Sequence, residues 1–280
     1  VDSTAQTAQT ACLAGTYNAN TGSTTSSDCL DASAGYYVDS TAGTAQTSQT
    51  ACLAGTYNAN TASTTSSDCL DASAGYYVDS TAGTAQTSQT ACIAGTYNAN
   101  TGSTTSSDCL DADAGNYVGS TGQSSQTACA AGTYQASTGQ SSCTDADAGN
   151  YVGSTGQTTQ TECAAGTYQA STGQSSCTDA SAGYYVDSTA QTAQTACLAG
   201  TYNANTASTT SSDCLDADAG YYVGSTGQSS QTACAAGTYQ ASTGQSSCID
   251  ADAGNYVGST GQSSQTACAA GTYQASTGQS

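Results

Sequence analysis

The apolar residues of this chain never fall at helical spacing. They come in short bursts, and the sharpest is Ala-Gly-x-Tyr. It recurs fifteen times, from Ala14-Gly15-Thr16-Tyr17 to Ala270-Gly271-Thr272-Tyr273. Successive glycines of the motif are 17 or 20 residues apart. The stretches between are rich in Ser, Thr, Asn, Gln and Gly. Most of these are poor helix formers, whereas Tyr, Val and Thr suit a pleated, half-buried surface. The pattern predicts short strands at Gly-x-Tyr-Val and Gly-Thr-Tyr, irregular connections and essentially no helix. The motif glycine is expected at positive φ in a tight turn, or where a neighbouring backbone comes close.

The bursts alternate between two flavours. One follows a cysteine, as in Cys129-Ala130-Ala131-Gly132-Thr133-Tyr134, and the other follows an acidic stretch, as in Asp145-Ala146-Asp147-Ala148-Gly149-Asn150-Tyr151. A full unit is a pair of half-units spanning 34, 37 or 40 residues. The chain divides into repeats at 1–37, 38–77, 78–117, 118–151, 152–185, 186–222 and 223–256, with a partial repeat at 257–280. Length differences come in steps of three and lie in the Ser/Thr segments between the tyrosine and the next cysteine. Compare Thr21 to Asp28 with Ser137 to Ser142. Insertions belong in surface loops, so Tyr and Cys read as the frame and the Ser/Thr segments as the exterior.

Composition makes the cysteines decisive. Lys, Arg, His, Pro, Met, Trp and Phe are absent, and large apolar side chains are sparse. One such side chain contributes only about 1.5–3 kcal/mol when buried, so the polar bulk of the chain is of the kind that stays disordered unless stapled. The net charge is −20. With no cation to offer, the chain is not expected to bind nucleic acid or anionic lipid. It has no run of 18 apolar residues, which argues against direct membrane insertion in this window. It opens at Val1 in mid-pattern with neither Met nor signal peptide, as a mature or excised portion would.

The 15 cysteines follow a strict order. Cys12 and Cys29, Cys52 and Cys69, Cys92 and Cys109, and Cys197 and Cys214 are 17 residues apart. Cys129 and Cys143, Cys163 and Cys177, and Cys234 and Cys248 are 14 apart, and gaps of 20 or 23 separate these pairs. There is neither a Cys-x-x-Cys nor a His to suggest zinc. Disulfides are the better reading, and they imply an oxidising compartment outside the cell or at its surface. Loop-closure entropy does not choose between the short and the long interval, since each bond is worth roughly 3 kcal/mol. With short-interval pairing Cys268 is left over, and the repeat places its partner just after Ser280.

Cys-Ala-Ala-Gly-Thr-Tyr followed by a polar loop and Cys, as at Cys129 to Cys143, resembles the ephrin-receptor-like cysteine-rich repeats, which are related to the first half-module of tumour-necrosis-factor-receptor repeats. The resemblance implies a disulfide closed around that segment, hence Cys12 with Cys29 and its six equivalents. The chain departs from the family in having one Cys pair per unit, and Ala130 where the family often has Pro. No receptor function is carried over.

The second motif is Asp-Ala-Asp-Ala-Gly, with Asp111 and Asp113, Asp145 and Asp147, Asp216 and Asp218, and Asp250 and Asp252. Asp-Ala-Ser-Ala-Gly replaces it at Asp31, Asp71 and Asp179. Alternate oxygen ligands before a Gly turn resemble part of a calcium loop, but the terminal Glu of an EF-hand is missing. The simpler reading is a solvated acidic turn whose carboxylates cap local N–H groups.

No Asn-x-Ser/Thr sequon is present, so sugars would be O-linked to the Ser/Thr loops; plain solvated linkers are the alternative. The tyrosines are expected to form the small apolar core of each half-unit, with a carbohydrate-binding aromatic stripe as the functional alternative. A Thr row at Thr4, Thr7 and Thr10 has the look of a short ice-binding face but is not sustained. Catalysis lacks parts, because His and Lys are absent and Glu162 is the only Glu.

The expected fold is therefore an elongated rod of small, disulfide-rich, β-rich tandem repeats, with a continuous β-solenoid as the alternative. The expected function is a structural extracellular filament or surface appendage whose partners are copies of itself. A stalk or adhesin that binds through its repeats, or through a domain outside this window, is the competing reading. No enzymatic activity and no resident cofactor are expected, calcium and O-glycans aside.

Overall fold

The computed structural model describes residues 9–39, 45–79 and 85–280. Most of the Thr row over residues 4–10 lies outside them. Among the described residues there is no α-helix, and regular structure consists of two-residue strands paired into 14 antiparallel ladders. These are tandem, disulfide-rich β repeats.

One half-unit shows why the sequence folds this way. The Thr16 amide donates to the Leu13 carbonyl at 3.1 Å, closing a turn over Ala14-Gly15 with Gly15 at φ 79°. A positive φ at the third residue suits glycine, which has no Cβ to clash. The chain leaves the turn as β1 (Thr16–Tyr17), runs through the polar loop and returns as β2 (Leu30–Asp31), pairing Thr16 with Asp31 and Tyr17 with Leu30. The acidic half-unit repeats the plan. Its strand β3 (Tyr36–Tyr37) pairs with β4 (Thr50–Ala51), just before Cys52.

Neighbouring half-units are joined by a recurring set of backbone hydrogen bonds. The Gly35 amide donates to Asn58 O at 2.7 Å, Val38 to Ser63 O at 2.9 Å, Ala62 back to Ala32 O at 2.8 Å, and Ala32 to Gly15 O at 2.8 Å. Further along, Gly149 to Gln169 O, Val152 to Gln174 O, Gly173 to Ala146 O and Ala146 to Gly132 O repeat the same set. The paired strands are antiparallel hairpins, unlike the parallel coil-on-coil ladders of a β-helix. Yet each hairpin is bonded to the next through main-chain groups, so the repeats are not independent beads.

The core differs from expectation. The buried hydrophobic positions are small: Ala32, Val38, Cys92 and most of their equivalents, at 4 % exposure or less. Most tyrosines are half-buried instead, lying beside this thin core, while Tyr256 and Tyr273 are exposed. Leu13, Leu53, Ile93 and Leu198 are exposed, at 69–82 %. Motif glycines are packed so closely against the next loop that only small residues fit between backbones, and the large side chains are displaced outward.

The Ser/Thr loops are also less exterior than their length variation suggests. In long loops Asn98 is wholly buried, donating from Nδ2 to Ser103 Oγ at 2.8 Å and to Tyr76 O at 3.2 Å, while its Oδ1 accepts the Asn100 amide at 3.0 Å. Short loops place Gln135 there, donating from Nε2 to Ser142 O at 2.8 Å and accepting the Ser137 amide at 3.1 Å. The three added residues let Ser66–Asp68 form a 3₁₀ turn, capped by Asp68 Oδ2, which accepts the Thr64 and Thr65 amides.

The chain separates into two compact units. The first holds Val1–Cys129 with Gln135–Cys143, and the second holds Ala130–Tyr134 with Thr144–Ser280.

Candidate functional site

The structure joins Cys12 to Cys29, Cys52 to Cys69, Cys92 to Cys109, Cys129 to Cys143, Cys163 to Cys177, Cys197 to Cys214 and Cys234 to Cys248. Each bond closes the short interval. The first cysteine sits three residues before the motif glycine, where its amide or carbonyl takes part in the bonds between half-units. The Cys92 amide donates to Gly75 O, and Cys92 O accepts from Gly122. One disulfide thus ties the polar loop to the most buried strip of the half-unit. Cys268 is the one cysteine among the described residues outside a disulfide.

In the acidic motif each Asp engages a different neighbour. The Asp113 amide donates to Gln126 Oε1 at 2.6 Å, and Gln126 Nε2 donates to Asp113 Oδ2 at 2.6 Å. The same two-point clamp joins Asp147 to Gln160, Asp218 to Gln231 and Asp252 to Gln265. Where Ser replaces Asp, the amide bond alone persists, as from Ser73 to Gln89 Oε1 at 2.7 Å. The other Asp lies against a loop glycine: a Cβ on Gly139 would sit 3.2 Å from Asp111 Oδ1, and Asp145, Asp216 and Asp250 stand likewise against Gly173, Gly244 and Gly278. Among the described residues no group of three or more Asp, Glu, His or Cys converges as metal ligands would.

The clamp glutamines were not singled out from the sequence. Their signal was positional: Gln49, Gln89, Gln126, Gln160, Gln194, Gln231 and Gln265 each stand three residues before the first cysteine of a pair or Cys268.

One open surface groove, of about 460 Å³, is lined by Tyr222, Thr232, Ala233, Ala235, Thr238, Ser247 and Cys248. Tyr222 and Thr232 are cross-strand partners. The Tyr222 ring lies over Gly224, where a Cβ would meet Cε2 at 3.4 Å. Thr238 Oγ1 donates to Ala235 O at 2.9 Å, and Ser247 O accepts from the buried Gln240 at 2.9 Å, so both walls are fixed. None of the lining side chains is charged.

No known family model matches the chain, and no curated protein is similar to it. Repeated, disulfide-stapled β units fit an extracellular structural protein, since seven disulfides form and persist in an oxidising environment. Among the described residues no helix is long and apolar enough to cross a membrane.

Proposed function

We propose that this chain is the repeating part of an extracellular filament or surface appendage, assembled from copies of itself. The observation that carries the reading is the recurrence of one bond set between half-units, with a disulfide in every second one. Resistance to unfolding then grows from nearest-neighbour contacts and cross-links rather than from one large core. The chemistry of the chain supports the same role. It has no His or Lys for proton transfer, and its acidic groups are spread over similar modules rather than gathered at one site. Its 20 acidic residues keep unassembled molecules apart until counter-ions screen them. The exposed Ser and Thr of the loops carry O-linked glycans in this reading, which adds a hydrated coat.

Electron microscopy of the native material tests the proposal. Smooth helical fibres are the expected result. Isolated rods ending in a distinct head would overturn it in favour of an adhesin stalk.

A further inference from the structure

The groove beside the Cys234–Cys248 disulfide has a composition that the structural role does not require. Long-loop repeats place a large aliphatic residue directly after the first cysteine, as at Leu198, whereas Ala235 stands at that position in the groove. Loss of the aliphatic bulk leaves the half-buried Tyr222 ring as one wall and Thr232, Thr238 and Ser247 as the polar rim. We propose that this groove is a binding subsite for a neutral saccharide, with one pyranose ring lying on Tyr222.

The chemistry selects that ligand class. A flat aromatic ring offers an apolar platform, and the weakly positive C–H face of a pyranose complements its negative π-face. Orientation comes from a few placed polar groups, as in most small-molecule sites. The Thr238 hydroxyl spends its proton on Ala235 O, which leaves its oxygen lone pairs to accept from a sugar hydroxyl. Thr232 and Ser247 present hydroxyls that both donate and accept. A cation would find no carboxylate in the lining, and an anion no basic group.

The ring lies beside Gly224, where a Cβ would come into contact with Cε2 at 3.4 Å, while long-loop repeats have Asp187 at the position of Gly224. The same side chains recur two units earlier, with Tyr151 paired to Thr161, Thr167 Oγ1 donating to Ala164 O at 2.8 Å, and Gln169 Nε2 donating to Ser176 O at 2.8 Å, while the unit between them carries Leu198 instead. In the Tyr151 unit Glu162 replaces Ala233. Repeated subsites convert weak single-site binding into avidity on a polymeric glycan.

The test is titration of the ¹⁵N-labelled full chain with cello-, manno- and chito-hexaose, read by amide shifts at Thr232 and Thr238. Saturable shifts are expected for at least one sugar. Tyr222→Ala should weaken them on the order of tenfold. Ala235→Leu places at the groove's rim the residue that Leu198 supplies, largely exposed, in a folded repeat, and its added bulk should weaken the local shifts while leaving the rest of the spectrum unchanged. No saturable shift with any of the three sugars would overturn the proposal. So would shifts that survive both substitutions.

Discussion

Gln126 holds Asp113 at two points, accepting its amide through Oε1 and donating to its carboxylate through Nε2, both at 2.6 Å. The clamp joins the acidic turn to the segment just before Cys129 and so fixes where the disulfide-bearing strand begins. It also gives the second Asp of Asp-Ala-Asp-Ala-Gly a structural employment. Asp113→Ser should cost little, because Ser73 keeps the amide bond to Gln89 without the second contact. Gln126→Ala removes both bonds and should cost about 1 kcal/mol. Denaturant midpoints of the two variants check this order.

The loop glycines and the motif glycines both have positive φ, but they should respond differently to substitution. Gly132→Ala would drive a Cβ into the Gly173 carbonyl, against backbone that has nowhere to go. Its cost should be about 3 kcal/mol or more, as expected where αL strain and overpacking combine. At the loop position, Ala62 and Ala207 already occupy the left-handed region at φ 57° and 54°. Ala62→Gly should therefore stabilise by about 1 kcal/mol through relief of that strain. Thermal melts of the two single variants should move in opposite directions.

Asn98 marks the loops that are three residues longer. Its amide is buried and contacts Ser103, Tyr76 and Asn100. Asn98→Ala strands the Tyr76 carbonyl and the Ser103 hydroxyl, at a cost of about 2 kcal/mol. Asn98→Asp should cost more, because it buries a carboxylate against that same carbonyl. Chemical denaturation that monitors tyrosine fluorescence would show both effects.

The frame of this fold was legible in the sequence because turn chemistry and cysteine spacing are local. Gly15 and its equivalents announce a positive φ, and Cys129 to Cys143 announces a loop of fixed length. The core was less legible. Tyr36 and Leu13 look like core residues by hydrophobicity, but the buried strip belongs to Ala32, Val38 and Cys92. Burial there is set by how closely one backbone passes another, a distance between half-units that no single burst encodes. The pairing of Asn98 with long loops and Gln135 with short ones was present as a correlation. Its cause, a side chain reaching across a loop to a particular carbonyl, needed coordinates. The groove at Tyr222 was hidden for the same reason: an Ala for Leu exchange reads as noise until the ring beside it is placed.

Ionic strength should act strongly on a chain that carries a net charge of −20 and no cationic side chain. Salt shortens the screening length from about 30 Å at 0.01 M to about 8 Å at 0.15 M. The melting temperature should rise over that range, and self-association should rise with it, since both are opposed by like-charge repulsion. Calorimetry and sedimentation velocity at the two salt levels provide the check.

The claim that the repeats are stapled outside the reducing interior of the cell is tested most directly by a non-reducing peptide map of native protein, with free thiols alkylated before digestion. The expected result is Cys12 linked to Cys29, Cys129 to Cys143 and the five further short-interval pairs, each in near-complete yield. Links across the long intervals, such as Cys29 to Cys52, or alkylated thiols throughout the array, would contradict it.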